Sequence, residues 1–200
     1  MITEAIIKTG PRGIISIEKS PVEESLLFHL EGGILPKGFS DLNYVAKSGK
    51  DKLHFENPLI LVGDISVQNP KDFTQVLEYA AKLKRPIVLF VNSASENCHK
   101  QILFTMQKEV VQCVLIEFEG LNDAALDYLQ DLSVLFDAPL IDYKLNELLG
   151  NAKEVPGLLG SCKKMDIEVL QLDFMTSEFK TTEHKQRIAD HTQTLIGKIF

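Results

Sequence analysis

The sequence predicts an α/β domain built on a parallel sheet, with helices between its strands. Continuous apolar runs at residues 59–62 and 87–91 are typical of strands that are buried on both faces of a sheet. Segments with helical periodicity alternate with these runs, and this order is that of parallel βαβ units. The length of 200 residues suits one domain, and a hydrophobic content of 44% is enough to form a core.

The first quarter of the chain is predicted to hold two strands and a long loop. Residues 13–19 are rich in β-branched side chains and are predicted as a strand, as are residues 25–30. The stretch 31–51 contains several glycines and few periodic apolar residues, which indicates a loop. Loops of this length in compact domains are usually functional or disordered.

The middle of the chain is predicted as a regular alternation. Pro70 suits the first turn of a helix, and Pro86 prevents that helix from continuing. The predicted elements are strand 59–62, helix 70–84, strand 87–91, helix 95–108, strand 112–118, helix 121–137 and strand 139–141.

The last part of the chain has a different pattern. Residues 161–173 are predicted as one or two strands, of which 168–172 is the clearest. Residues 180–198 are predicted as a polar amphipathic helix. The predicted architecture is therefore a βαβ core with flanking strands and a C-terminal helix.

Charge and composition exclude several classes of partner. A net charge of −7 argues against nucleic acid and anionic membranes, since both attract a basic face. No run reaches the ~18 apolar residues that a membrane span needs, and the N-terminus lacks a signal-peptide pattern. The cysteines are far apart and odd in number, which predicts free thiols in a reducing compartment; they are Cys98, Cys113 and Cys162.

Nucleotide-binding and metal-binding patterns are absent from the sequence. The turn at residues 63–69 has one glycine, where a dinucleotide site needs GxGxxG. In the nearest match to a P-loop, Phe39 stands where the lysine belongs. The histidines are dispersed, and His184 and His191 are predicted as solvated residues seven positions apart. No catalytic residue and no metal ligand is predicted.

One enzymatic alternative remains open in the sequence. Asp64 and Asn92 follow predicted strands, and the carboxyl ends of parallel strands are where α/β enzymes place their sites. A small-molecule enzyme would use these two positions. The missing phosphate loop counts against it, and a turn carboxylate is the favoured interpretation of Asp64.

The helix predicted at 95–108 is apolar over an unusually wide arc. Ile102 and Met106 form one stripe, whereas Leu103 and Phe104 lie about 100° and 200° round the axis from Ile102. At least one of the two is therefore expected outside the core. Leu77 lies at the edge of the stripe of the preceding helix, so the two helices are predicted to border an apolar groove, unless a terminal segment covers them.

Several segments, in order and at constant spacing, resemble the apical domain of group I chaperonins, the GroEL family. Residues 10–18 (GPRGIISIE) resemble the family's GKEGVITVE, and residues 57–64 (NPLILVGD) resemble SPFILLAD. Glu31-Gly32 with Gly38-Phe39 resembles EGMxFDRGY. Further matches are residues 76–78, 81–82 and 85–86 in the next helix, residues 129–132 against LQDIA, and residues 159–163 against LGxAK.

The resemblance implies a fold, a boundary and a function. Residues 1–25 are expected at the edge of an intermediate domain and residues 26–200 in the apical domain. In the family this domain captures non-native polypeptides in an apolar groove between two helices and docks a GroES-like co-chaperonin there. The matching positions are Phe39, Asn43, Tyr44, Thr74, Leu77, His99, Leu103 and Phe104.

The resemblance also implies that some functions belong to a longer parent protein and not to this chain. The family's equatorial domain, which holds ATP and Mg²⁺ and makes the main ring contacts, has no match here, so the chain is expected to be a fragment that is not itself an enzyme. Cofactors and ring assembly are expected in the full-length parent only. The expected location is a bacterial cytoplasm or an organelle matrix.

Departures from the family pattern point to a divergent paralogue. Asn43, Thr74 and His99 replace residues that are normally apolar, and an unpartnered polar group weakens apolar binding by about 1 kcal/mol or more. The family's KAPGFGDRR segment appears at residues 117–125 as EFEGLNDAA, without its basic residues. The alternative function is therefore a specialised interaction module on the same fold, with no general folding activity.

Overall fold

A computed structural model describes most of the chain from residue 52 onward and selected parts before it. The described residues are 1–10, 15, 17, 20, 23–27, 32–38, 52–118, 123–142, 155–176 and 182–199. They form two compact units, Met1–Gly32 and Gly33–Phe200. The predicted boundary after residue 25 lies within the first unit, and the assignment of residues 1–25 to an intermediate domain stays a prediction.

The first unit contains one helix among its described residues. Helix α1 spans Ile2–Thr9, with Glu4 and Lys8 paired across one turn at 3.1 Å. It ends at Gly10, whose φ of 74° favours glycine. The strand predicted at 13–19 lies mostly outside the described residues, and Ile15 and Ile17 are not in a strand.

The strand predicted at residues 25–30 and the loop predicted at 31–51 both differ from the structure. Residues 25–27 are not in a strand, so the prediction for 25–30 is wrong where it is described. The loop predicted at 31–51 contains strand β1, Gly32–Leu35, and residues 39–51 lie outside the description. A strand of four residues with two glycines gives too short an alternation to be recognised in the sequence.

The core of the second unit is the predicted parallel sheet. Strands β3 (Leu59–Val67), β4 (Ile87–Ala94) and β5 (Cys113–Glu117) lie side by side and parallel. The short strand β6 (Leu140–Ile141) joins the other side of β3 in parallel. The apolar runs of the three long strands are buried, as their sequences predicted.

Helices cover this sheet at the predicted places. A 3₁₀ turn at Pro70–Phe73 leads into α2, Thr74–Leu83. Helix α3 spans Glu96–Gln107 and packs on β5 and on the 3₁₀ turn. Helix α4 spans Asp123–Phe136 and contacts β3 and β4. The βαβ core is thereby confirmed.

A second sheet packs its apolar face into the same core, and two of its strands begin within residues 161–173, where one or two flanking strands were predicted. Its strand order is β1, β9 (Leu172–Met175), β8 (Lys164–Ile167) and β2 (Leu53–Glu56). Strands β2 and β9 each pair antiparallel with β8. A further two-residue strand, β7 at Gly160–Ser161, pairs antiparallel with β3, after a 3₁₀ turn at Val155–Leu158.

The clearest strand predicted near the C-terminus is wrong in position. Residues 168–171 form the turn between β8 and β9, where the amide of Glu168 donates to the carbonyl of Gln171 at 2.8 Å. Leu170 at its tip is 82% exposed. The apolar pair Val169-Leu170 imitates a strand in the sequence, although the chain reverses direction there.

The C-terminal helix α5, Thr182–Ile199, packs on α4, and polar contacts link it to α4 and to Asp137, the residue after α4. His184 Nε2 lies 2.8 Å from the carbonyl oxygen of Val134, and Arg187 pairs with Asp137 at 2.6 Å. His191 Nε2 lies 2.6 Å from a carboxylate oxygen of Asp131. The expectation of two solvated histidines is therefore wrong for His184, which is 6% exposed because it lies where α5 packs on α4. No helix in the described part of the chain combines the length and apolar character needed to cross a membrane.

The polar face of the second sheet is held by charges around Asp166. This carboxylate contacts His54 Nδ1, Lys52 at 3.4 Å and Lys164 at 3.7 Å. Burial alone would raise the pKa of Asp166, but the hydrogen bond to His54 and the two lysines outweigh it and lower the pKa. For Lys52, burial would lower the pKa, and the charges and hydrogen bonds of Asp166 and Glu168 raise it instead.

We expect Asp166 to stabilise the fold above its unfolded pKa and to lose that effect as the pH falls through its lower folded pKa. Asp166→Asn should lower the free energy of unfolding by about 1–2 kcal/mol at pH 7, and by much less once the pH has fallen below the lowered folded pKa of Asp166. Urea denaturation at several pH values measures this. Asp127→Asn, at an exposed position on α4, is the matched control. Its effect on the free energy of unfolding should not depend on pH in this way.

Candidate functional site

The predicted binding residues on α2 differ in their exposure. Thr74 is exposed at its first residue, whereas Leu77 is 7% exposed and belongs to the core. Thr74 is thus open to a partner, and Leu77 offers little surface in this conformation.

On α3, the exposed apolar residue is Phe104. Its side chain is 49% exposed, and the ammonium of Lys108 lies 4.3 Å from the centre of its ring. Leu103 is only 3% exposed. The expectation that at least one of the two lies outside the core is therefore confirmed by Phe104, whereas Leu103 belongs to the core.

The arc that α3 buries explains this difference. The helix packs on both β5 and the 3₁₀ turn, so its covered face is wide enough to include Ile102 and Leu103, which are about 100° apart. Phe104 lies a further 100° round and leaves the covered face. The buried face of α3 is therefore wider than the stripe of Ile102 and Met106 that the sequence indicated.

The polar residue His99 also faces inward on α3. Its Nε2 lies 3.1 Å from Oε2 of Glu117, and Oε1 of the same carboxylate accepts the backbone N–H of Ala94 at 2.6 Å. The side chains of His99 and Glu117 are 11% and 13% exposed. Glu117 thus links the end of β5 to the end of β4 and the first turn of α3.

The hydrogen bonds assign the tautomer of His99. An ionised carboxylate only accepts, so Nε2 carries the hydrogen between it and Glu117. In the neutral ring Nδ1 is then an acceptor, and it is buried with no hydrogen-bond partner among the described residues. An unsatisfied buried polar atom costs about 1–3 kcal/mol.

The remaining predicted site residues lie outside the described part of the chain. They are Phe39, Asn43 and Tyr44. Lys37, just before them, places its ammonium 5.9 Å from the ring centre of Phe118. Their contribution to binding stays a prediction.

The sheet brings together Asp64 and Asn92, the two residues that a small-molecule enzyme would use. The register of β3 and β4 shifts between Gly63 and Ser66, and Asn92 Nδ2 donates to Oδ1 of Asp64 at 2.8 Å. The amide of Asn92 therefore occupies one oxygen of this carboxylate. Within the described residues, no three His, Cys, Asp or Glu side chains are grouped as metal ligands.

The three cysteines are buried thiols that form no disulfide, as the sequence predicted. Burial raises the pKa of Cys113 to about 12, so this thiol stays protonated at neutral pH. A protonated, buried thiol is a poor nucleophile.

Sequence reasoning missed the lysines that flank Phe104. Lys100 and Lys108 lie four residues before and after it, and both are exposed. Their i, i+4 spacing on a helix was the available signal. Glu117 was also missed, because its contact with His99 depends on how α3 lies against β5.

Chaperonins dominate the relatives of this chain. It is 28% identical over 167 residues to the mitochondrial chaperonin CPN60-2 of Zea mays, which covers 84% of this chain and 29% of that protein. It is 23% identical to chaperonin 60 subunit beta 1, chloroplastic, of Arabidopsis thaliana, over 100% of this chain and 36% of the relative. The chloroplastic RuBisCO large subunit-binding protein subunit beta of Pisum sativum is 26% identical over 78% of this chain and 27% of the relative.

A solved structure has the same fold. The chaperonin gp146 of bacteriophage EL 2 (Pseudomonas aeruginosa), determined in the presence of ATP-BeFx, matches with a TM-score of 0.56 and 12% identity. The match covers 85% of this chain and 34% of that chain. No family model matches the sequence.

The chain spans about a third of the length of these relatives, between 27% and 36%. The organelle relatives are mitochondrial and chloroplastic proteins. The homologues of this chain are thus chaperonins of the GroEL family, and its fold is that of a GroEL-like apical domain.

Proposed function

We propose that this chain is the polypeptide-binding domain of a divergent chaperonin. It captures non-native segments on the surface formed by the start of α2 and the exposed face of α3. The supporting observation is Phe104, a large apolar side chain that is 49% exposed at a position where the family resemblance expects client contact. The chaperonin relatives support this role for the family as a whole.

The physical basis of capture is apolar burial without sequence specificity. Non-native chains expose apolar segments, and each Leu or Phe side chain that becomes fully buried contributes roughly 1.5–3 kcal/mol. Two or three such anchors bind the segment, and the cost of ordering the segment reduces their summed free energy. The result is an affinity of about micromolar for one domain. Several domains that grip one client would increase the affinity further.

The functions of the whole protein belong to the same proposal. A parent of the length of its relatives would supply the ATPase domain with ATP and Mg²⁺, form the ring and release the client. A GroES-like co-chaperonin would compete for the same surface of α2 and α3. The organelle names of the plant relatives favour an organelle matrix, and a bacterial cytoplasm is the other location.

The alternative is a module tuned to one partner on the same fold. Two observations favour it: Thr74 is polar and exposed, and His99 is turned inward to Glu117 and gives no apolar surface. The general binding surface would then be reduced to Phe104 and its neighbours. Sequence-unrelated clients that compete for one site support the chaperone, whereas a single client class supports the module.

Titration of a fluorescent amphipathic peptide into the chain tests the proposal. We expect saturable binding at about micromolar concentration, and a loss of about tenfold or more in Phe104→Ser, because the ring loses its burial against the peptide. The change should leave stability nearly unaltered, since the side chain is half exposed.

Leu126→Ser is the matched control, because Leu126 is 39% exposed on α4 and lies outside the predicted surface. Its affinity for the peptide should equal that of the unchanged chain. Equal affinities for Phe104→Ser and Leu126→Ser, or no binding by the unchanged chain, would contradict a general apolar site on α3.

A further inference from the structure

The exposed face of α3 carries its apolar residue between two cations. Glu96, Lys100, Phe104 and Lys108 follow one another at intervals of four residues, and all four are exposed. On a helix, residues four apart lie on the same face, and Lys108, which caps α3 directly after Gln107, lies over the ring of Phe104. These side chains form one row, hereafter the α3 row. Phe104 therefore has an ammonium group one turn before it and another one turn after it.

The two lysines are available to a partner in different ways. Lys108 lies over the ring of Phe104, with its Nζ 4.3 Å from the ring centre. Lys100 pairs with Glu96 at 2.7 Å, and the two side chains are 65% and 82% exposed. Exposed pairs of this kind are weak, so a partner's carboxylate can replace Glu96 at little cost.

The charge of this row contrasts with that of the chain. The sequence carries 28 acidic and 21 basic residues, yet both immediate neighbours of Phe104 on the row are lysines. Glu109 follows the helix end with a left-handed φ of 53° and is not on the row. An apolar group flanked by positive charge is complementary to an apolar group flanked by negative charge.

We propose that the α3 row selects apolar segments that are flanked by Asp or Glu, an inference that rests on the proposed function and names its preferred client chemistry. The aromatic ring receives the apolar anchor, and the lysines receive the carboxylates on either side of it. The lysines are exposed and contribute to the binding free energy electrostatically, so their contribution falls as salt is added. The apolar contribution to the binding free energy remains.

Three fluorescent peptides with the same Leu-Phe-Leu centre test this selection by anisotropy titration at low salt. Their flanking residues are two Glu, two Gln or two Lys on each side. We expect the acidic peptide to bind about three- to tenfold more tightly than the Gln peptide, and the basic peptide to bind more weakly than both. At 0.5 M salt the three affinities should converge, because the Debye length falls below about 5 Å.

The double variant Lys100→Gln/Lys108→Gln should bring the ratio between acidic and Gln peptides close to one, without changing the affinity for the Gln peptide by more than about twofold. Lys163→Gln/Lys185→Gln makes the same charge change at exposed positions on other elements and should keep the preference. Equal binding of acidic and Gln peptides would overturn the selection and leave the proposed function standing. Failure of all three peptides to bind would overturn both.

Discussion

Replacing Leu103 by alanine is expected to lower the free energy of unfolding by about 2–4 kcal/mol. The side chain is 3% exposed and belongs to the core between α3 and the elements it packs on, so its removal leaves a cavity. Urea denaturation, followed by circular dichroism, gives the value. The change is large compared with the whole stability of an ordinary domain, which is about 5–15 kcal/mol.

Leu126→Ala is the matched control for this prediction. The same atoms are removed from a side chain that is 39% exposed on α4, and we expect a loss below about 1 kcal/mol. If the two variants lost the same stability, Leu103 would not be packed as the structure shows. The result also matters for binding experiments, since a change at Leu103 would confuse folding with client capture, whereas Phe104 separates the two.

Glu117→Ala is the second change with a large expected effect, a loss of about 2–4 kcal/mol in the free energy of unfolding. The carboxylate accepts from the partly buried N–H of Ala94 and lies 3.1 Å from Nε2 of the buried His99. Its removal leaves both groups without this partner. The first turn of α3 should loosen, because Glu117 ties it to the ends of β4 and β5. Hydrogen exchange of the amides around residues 95–99 should report this loosening.

A double-mutant cycle isolates the contact between His99 and Glu117. His99→Ala and Glu117→Ala should show a coupling energy of about 1–3 kcal/mol, since each residue is nearly buried against the other. Glu96→Ala with Lys100→Ala measures an exposed pair on the same helix and should couple by about 0.5 kcal/mol or less. Additive effects of His99 and Glu117 would mean that the pair does not hold α3.

The parallel core was predictable from the sequence because its signals are local. The apolar runs of β3 and β4 and the helical stripe of α2 each identify an element without knowledge of its neighbours. The βαβ rule then supplies the topology. The element bounds differ mainly where strands continue into polar residues, as β4 does at Asn92–Ala94.

The second sheet was not predictable in the same way. Strands β2 and β8 are four residues long and pair across 112 positions, as the contact of His54 with Asp166 illustrates. Such short segments give little periodic signal, and their pairing depends on contacts distant in sequence. The turn at residues 168–171 was mistaken for a strand because two apolar residues stand at its tip.

The candidate site was predicted in part. The wide apolar arc of α3 predicted that at least one of Leu103 and Phe104 lies outside the core, and in the structure this residue is Phe104. The inward orientation of the His99 side chain and the burial of Leu103 depend on how deeply α3 lies against β5. Sequence periodicity does not determine this depth. The contributions of Phe39, Asn43 and Tyr44 stay predictions.

The measurement that tests the central claim most directly is an amide chemical-shift map of the chain during titration with two amphipathic peptides of unrelated sequence. Binding through the exposed face of α3 predicts that both peptides shift the same amides, at residues 100–108 and near Thr74 at the start of α2. Shifts confined to α5 or to the second sheet, or different sets of amides for the two peptides, would contradict capture of non-native polypeptides on this surface.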